Sequence, residues 1–475
     1  MVKPTRPSFW ILTLLLAGCA NQQVDEPTQP NADQAQADGE WQLHPWWQDF
    51  GSGALNQTVD LALQNNMDLQ AAAARLEQLE IQTRLVAGQK MPSLNASLGS
   101  GRSRTNLIGL PFPGAPEVLP ITTTQANLGL NLSWELDLWG RLDAEENAAL
   151  AQWQAGGADW QGAQLSLAGQ TSKLWLGAVS AAVELRLTEQ LVATTNDLAD
   201  HLGQRYRQGL LPANMWNSAQ NNAQQAAARL HTLQVNLDQQ KRALQSMLSG
   251  DTYALDNLAL ATELPAMPSA LPIDVPADAI SRRPDLRAAE ARLIAANEEW
   301  KAAKASLYPR LSLTASGGTS SNTLGDLLDG DLRVWSLAGN LVAPLFEGGR
   351  LRNQVELRQA GISQFELEFV QRALMAYAEV EGALVAEQEL RQQLQALQQV
   401  QQRALKDQHR AQQRFQQGVG TLSDWLQAQL DVQQKQLDLL QVQRALLLNR
   451  IDLYLAMGGD LRPAPAPSLE PSSKS

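Results

Sequence analysis

The sequence predicts a mixed fold: long α-helices joined to membrane-crossing β-strands, built from two copies of one unit. Three observations carry this. First, the chain repeats itself. Asp68-Leu69-Gln70-Ala71-Ala72-Ala73-Ala74-Arg75-Leu76 returns as Asp285-Leu286-Arg287-Ala288-Ala289-Glu290-Ala291-Arg292-Leu293, and Pro92 returns as Pro309 at the same offset of 217. Gly140-Arg141-Leu142 returns as Gly349-Arg350-Leu351 at an offset of 209, followed by Arg205-Tyr206 and Gly209 as Arg414-Phe415 and Gly418, and by Gly250-Asp251 as Gly459-Asp460. The change of offset falls between about residues 99 and 127, where a loop differs in length. Second, Leu128, Leu130, Leu132, Trp134, Leu136 and Leu138 alternate strictly with Gly129, Asn131, Ser133, Glu135 and Asp137, the period and length of a strand with one face in lipid and one in water. Third, 142–207 and 350–417 contain no proline, and either stretch, if continuous, spans about 100 Å as a helix.

Taken in order, the elements begin with an address. Lys3 and Arg6 precede an apolar stretch from Phe9 to Ala17, and Leu16-Ala17-Gly18-Cys19 follows, so 1–18 reads as a signal peptide. The only cysteine of the chain stands where cleavage would expose it, as in the bacterial lipobox, so Cys19 is the expected site of a diacylglycerol and an N-acyl chain. Ala20 after it is compatible with sorting to the outer membrane. Residues 19–50 read as a lipidated tether. The first repeat covers 51–263, with a helix at 68–86, strands near 93–105 and 121–138, and long helices near 141–208 and 213–249. A Pro-rich linker, 264–276, leads to the second repeat, 277–461. That repeat has a helix at 284–305 with Pro284 at its first position, strands near 310–321 and 332–346, and helices near 350–417 and 421–457. Gly209 and Gly418 suit left-handed helix caps, and Pro212 and Thr421 or Ser423 suit the starts of the return helices. Leu426, Leu430, Leu437, Leu440, Leu447 and Ile451 form a heptad seam interrupted by Gln433 and Arg444. The tail, 462–475, is Pro- and Ser-rich and reads as disordered.

Composition removes several classes of function. The 475 residues carry a net charge of −12, which lacks the basic footprint of a nucleic-acid binder. One cysteine allows no intrachain disulfide framework. No apolar run reaches the roughly 18 residues of a membrane-spanning helix, which excludes a multi-pass transporter. His44, His201, His231 and His409 are scattered, and no nucleophile elbow, phosphate-binding loop or His-Glu-x-x-His is present, so an enzyme is not expected. The acidic pairs Glu145-Glu146 and Glu298-Glu299 are helix neighbours that diverge, and they read as solvated faces. Neither a metal site nor a cofactor other than the lipid is expected.

Any one of the four strands, taken singly, also fits a soluble sandwich. Four strands in a membrane cannot close a barrel, and an open edge in hydrocarbon leaves backbone groups unpaired. Two chains would give eight strands around a filled interior, and three would give twelve with room for a pore. Trp134, Trp139 and Trp335 near strand ends suit an aromatic girdle.

The lipobox, the duplicated unit, Arg283-Pro284-Asp285-Leu286, Tyr308-Pro309 and Phe346-Glu347-Gly348-Gly349-Arg350-Leu351 together resemble the lipoprotein branch of the TolC/OprM outer-membrane efflux family, the NodT-like outer-membrane factors of RND efflux systems. The resemblance covers essentially the whole mature chain. It implies a homotrimer with a twelve-stranded barrel in the outer membrane, continued into the periplasm by a long coiled-coil α-helical barrel. It also implies a periplasmic adaptor (membrane fusion) protein and an inner-membrane pump of the RND type as partners, and a passive exit duct for small amphipathic or toxic compounds. A duct for protein secretion or metal-ion export, or a non-conducting structural coiled-coil lipoprotein, stands as the alternative.

The resemblance further implies that the helical tips, Arg205 to Trp216 and Arg414 to Trp425, lie at the periplasmic end. Arg205, Gly209, Gly418 and Thr421 are then docking positions, and Asp424 with Ser423 and Gln427 is the periplasmic gate. Three symmetry-related Asp424 carboxylates would attract cations. The competing reading of Asp424 is a solvated aspartate in the first turn of a helix. The family's second acidic position is Gln427 here, so one acidic ring is missing, and Met215 and Ser218 hold the equivalent places in the first repeat.

Overall fold

The structure is a computed structural model that describes residues 43–108, 118–248, 263–266 and 280–460. Cys19, the signal peptide, Gly250-Asp251, most of the linker and the tail lie outside the described residues. The helices are α1 (Gly53–Asn65), α2 (Met67–Gly88), α3 (Arg141–Arg207), α4 (Ala213–Met247), α5 (Pro284–Ala305), α6 (Arg350–Gln416) and α7 (Leu422–Ala456), and the strands are β1 (Ser93–Ile108), β2 (Val118–Leu136), β3 (Arg310–Ser321) and β4 (Arg333–Val342). No described helix is long and apolar enough to cross a membrane.

Both 67-residue helices start directly after a glycine that L side chains fit poorly, Gly140 at φ 73° and Gly349 at φ 84°. Each ends in a Schellman turn. In the first, Leu210 N donates to Arg205 O and Gly209 N to Tyr206 O; in the second, Val419 N donates to Arg414 O and Gly418 N to Phe415 O, at 2.9–3.0 Å throughout. The chain reverses there, so α3–α4 and α6–α7 are antiparallel hairpins, and α3 also packs against α2, α5 and α7.

The short helices α2 and α5 are attached by equivalent devices made of different residues. Asn66 caps α2 by accepting from Leu69 N at 3.1 Å, and its amide donates to Met247 O at the end of α4, 3.3 Å away. In the second repeat Arg283 takes that place and donates to Ala456 O at the end of α7, 2.9 Å away. Arg283 is held in turn by Asp285 (2.9 and 3.0 Å) and Glu379 (2.8 Å), which accounts for the Arg-Pro-Asp motif in structural terms. Burial opposes its charge, but these two carboxylates overcome that and raise its pKa.

The strands form one antiparallel sheet in the order β1-β2-β3-β4, so β1 and β4 are open edges. Its register assembles two unlike faces. Leu94 lies opposite Leu132, which lies opposite Ala315, which lies opposite Leu337; the neighbouring row is Ala96, Leu130, Gly317 and Trp335. Trp134, Leu136, Leu311, Leu313 and Leu341 continue this apolar face. The alternate positions, Asn95, Ser97, Asn127, Asn131, Ser316, Ser336 and Asn340, make the other face polar, with Glu135 and Arg310 as its charged residues at the helix-side end, and it is cross-linked by Asn131 to Ser97 (3.1 Å) and Ser316 to Ser336 (2.8 Å). Gly318 is obligatory on that face, because a Cβ there would sit 2.1 Å from Leu128 O.

Four features differ from the sequence expectation. Residues 43–50 are packed instead of acting as tether: Trp46–Phe50 is a 3-10 turn, Trp46 is fully buried and stacks on Tyr454 at 5.0 Å, and Tyr454 Oη donates to Asp49 at 2.5 Å. Helix α1 was not foreseen at all. Strand β4 stops at Val342, because Pro344 has no N–H to continue the ladder. The acidic pairs are not merely solvated: Glu145 pairs with Arg141, Glu146 with Lys90, Glu298 with Lys301 and Glu299 with Arg358.

Candidate functional site

The two helical tips are built on one plan. In each, an aromatic residue in the last turn of the long helix stacks on a tryptophan in the first turn of the return helix: Tyr206 on Trp216 at 5.1 Å and 18°, and Phe415 on Trp425 at 5.5 Å and 22°. These pairs bridge the glycine turn and fix its opening angle. Sequence reasoning passed them over, although both partners recur at the 209-residue offset. The tips then meet each other: Leu198, Ala199 and Leu202 of α3 and Ala219 and Ala223 of α4 form one apolar cluster with Leu426 of α7.

The tips differ in how the return helix is capped. Pro212 precedes α4 and offers no side-chain cap. Thr421 precedes α7 and closes a reciprocal capping box: Asp424 N donates to Thr421 Oγ1 at 3.1 Å, and Thr421 N donates to Asp424 Oδ2 at 3.2 Å. Hydrogen bonding to Thr421, side chain and then backbone, holds the Asp424 carboxyl below the usual carboxylate range, and the charges of Arg414 and Arg205 add to this. Asp424 is therefore ionised and exposed at a tip, close enough to Arg205 to feel its charge. Thr421, Gly209, Gly418 and Gln427 are exposed, while Arg205 and Ser423 are half-buried. Ser423 Oγ is enclosed without a hydrogen-bond partner among the described residues. Met215, the equivalent of Asp424 in the first tip, is half exposed and carries no charge.

Behind the tips two polar features tie the helices together. Gln433 does not interrupt the heptad seam; it is buried and donates to Thr194 Oγ1 at 3.0 Å and Gln190 O at 3.4 Å, so it bridges α7 to α3. Farther along, Arg450 is 2% exposed and Glu387 5%. Their charged ends meet at 2.5 Å, with Arg391 on the same oxygen at 2.7 Å and Asn449 donating to Ala383 O at 2.9 Å. Burial opposes ionisation of Glu387, but Arg450 and then Arg391 overcome it and hold the carboxyl below its usual range.

At the other end of the long helices, strands become helix through a second set of contacts. Trp139 stacks on Tyr308 at 5.0 Å and donates to Pro309 O at 2.7 Å, while Trp134 donates to Lys90 O at 2.8 Å. Lys90 pairs with Asp143 and Glu146, and Arg141 with Glu135 and Glu145 at 2.8 Å. Two of the girdle tryptophans thus brace the strand–helix junction, and Trp335 alone, 82% exposed, stands at the opposite side of the apolar face.

The profile of the family described as Outer membrane efflux protein matches residues 58–250 and 275–459, the two repeats. The outer membrane protein OprJ of Pseudomonas aeruginosa is 30% identical over 465 residues, covering 96% of this chain and 96% of that protein. The solvent efflux pump outer membrane protein SrpC of Pseudomonas putida is 31% identical over 431 residues, 86% of each chain. In fold, the chain is similar to the Campylobacter jejuni CmeC outer membrane channel, with a TM-score of 0.78 at 23% identity over 92% of this chain and 94% of that one.

Proposed function

The chain belongs to the outer membrane efflux protein family and serves as an outer-membrane exit duct, and from that premise we propose that three copies close it. The observation that carries this reading is the sheet with an apolar and a polar face and two unpaired edges. Within a bilayer those edges must pair with other copies, and three copies give twelve strands, enough to leave an aqueous lumen. The apolar face then meets lipid and the Asn/Ser/Thr face lines the lumen. The long hairpins continue the wall into the periplasm. The tips, far from the membrane, face the periplasmic adaptor and an inner-membrane pump of the RND type, through Arg205, Gly209, Gly418 and Thr421.

Small amphipathic compounds are the cargo this duct fits. From the row of Ser93 and Ser133 outward the polar face carries no charge, and Glu135 and Arg310 lie only at its helix-side end, so this stretch presents no charge barrier and selection falls to the pump. SrpC belongs to a solvent efflux pump, in keeping with such cargo. At the tip, three Asp424 carboxylates form the acidic ring of the gate, with Ser423 and Gln427 beside it. Cys19 carries the diacylglycerol and N-acyl chains that anchor the N-terminus in the outer membrane.

Planar-bilayer conductance of the purified oligomer, wild type against Asp424→Ala, tests the duct and its gate. Small cation-selective openings that enlarge or lose selectivity in the variant are expected. Unchanged openings would move the gate away from Asp424, and an assembled oligomer that never conducts would revive the structural lipoprotein. The mass of the mature N-terminal peptide, with Cys19→Ser as control, tests the acylation.

A further inference from the structure

Charge is sparse in the sheet, and its placement is one-sided. The charged strand residues are Arg102 and Arg104 on β1, Glu135 on β2, Arg310 on β3 and Arg333 on β4. Glu135 and Arg310 lie at the helix-side ends. The other three are all arginines, all exposed, and all in the helix-distal halves of their strands. By strand alternation they belong to the apolar face: Arg102 and Arg104 follow Leu94, Ala96 and Leu98 along β1, and Arg333 precedes Trp335, Leu337 and Leu341 along β4. Arg102 and Arg104 stand about 7 Å apart on that face. Arg333 is followed at once, on the same face, by the exposed Trp335, an amphipathic ring of the kind that settles at headgroup level. No ion pair is made by any of the three among the described residues. Two of the three acids of the nearby β3–β4 loop are used within it: Asp326 accepts from Thr323 Oγ1 at 2.6 Å, and Asp329 from Asp331 N at 3.2 Å; Asp331 makes no ion pair with Arg333 among the described residues.

The edge strands bring these groups together. If β4 pairs along its whole ten-residue length with the sixteen-residue β1 of the next copy, and apolar side chains stay outside, only four registers exist. They set Arg333 opposite the partner's Arg102, the partner's Arg104, the partner's Asn106 or the partner's Ile108. In three of the four, Arg333 lies opposite an arginine or one row from it. In those three registers a helix-distal, outward-facing cluster of three guanidiniums forms at each junction.

We propose that each junction binds the phosphates of a phosphorylated glycolipid of the outer leaflet, a lipid A-type headgroup, through Arg102 and Arg104 of one copy and Arg333 of the next. Guanidiniums suit this ligand because each presents a planar pair of donors to a phosphate. The inference rests on the three-copy barrel, and the test keeps the two apart. Native mass spectrometry of the purified full-length oligomer reports both its copy number and bound glycolipid. With diphosphoryl lipid A as probe, wild type is expected to bind up to three per oligomer, with at least tenfold weaker binding of the dephosphorylated form. Arg102→Gln/Arg104→Gln and Arg333→Gln, each with the oligomer mass unchanged, are each expected to weaken binding at least tenfold. Equal binding of both lipid forms, unchanged binding in the variants, or displacement by equimolar inorganic phosphate would overturn the proposal. Loss in the β1 double variant but not in Arg333→Gln would overturn the shared junction. A mass other than three copies would instead overturn the barrel reading.

Discussion

Helices α3 and α6 hold the same place in the two repeats and have the same length, yet 29 residues of α3 are buried and only six of α6. Small residues make the difference. Gly156 admits Leu79 of α2 and Gly169 admits Leu455 of α7, so neighbours close on α3 from several sides. Helix α6 carries Gln, Glu and Arg on most of its surface and one apolar stripe, Leu367, Val370, Leu374 and Tyr377, each at least half exposed. Steps of three and four along that stripe are those of a helix–helix seam. One unit of sequence has therefore been used twice, once as an interior helix and once as a flank. The flank leaves an apolar seam exposed, the surface that the proposed three-copy assembly would cover.

Charging each helix in turn breaks this contrast most sharply. Leu367→Asp/Leu374→Asp on α6 should leave a helical chain by circular dichroism while light scattering shows the oligomer gone; Leu176→Asp on α3, 2% exposed, should leave no folded chain. An intact oligomer in the α6 variant would end the idea that the stripe is an interface.

The buried ion pair comes next. Glu387 and Arg450 correspond, at the 209-residue offset, to Ala178 and Lys241, so only the second hairpin has it. Glu387→Ala strands Arg450 and should cost about 3–5 kcal/mol in denaturant unfolding. Because the folded Glu387 pKa lies below its ordinary value, its contribution is complete above about pH 4.5 and fades as pH falls through the lower folded value. Wild type should thus lose stability in that acid range while Glu387→Ala does not lose this part; parallel acid curves would remove the pair from the account.

The smallest effect separates the tips. Thr421→Ala opens the capping box of α7 and should cost about 1 kcal/mol, visible as faster amide exchange in the first turn of α7. Pro212→Ala in the first tip removes no side-chain cap and should leave exchange at the start of α4 unchanged. Equal responses would mean the box contributes nothing specific.

Much of the architecture was legible because its signals are periodic. Strict alternation at 128–138 announced β2, and the recurrence of Gly209 and Gly418 announced both turns. The Trp46–Phe50 turn escaped because an aromatic cluster without a period looks like tether until Tyr454, about 400 residues away, stacks on it. Gln433 looked like a flaw in a seam because its partner, Thr194, lies on another helix. The equivalence of Asn66 and Arg283 was hidden for a similar reason: the two share a job at a helix end but no side-chain chemistry. Of the candidate gate, the sequence located Asp424 and the structure adds its capping partner. The stacked aromatics that shape the tip carried a signal in the repeat and were overlooked.

The consecutive strand order, two strands from each repeat, has a consequence for symmetry. A single unit brings two strands, so a twelve-stranded wall of unfused units would take six copies, and every substitution would appear six times around it. Fusing two units in one chain makes each substitution appear three times, at alternate positions. An aspartate at one tip and a methionine at the next, or an arginine clamp beside an asparagine clamp, become available only under that reduced repetition. The duplication is what allows this wall to be uneven.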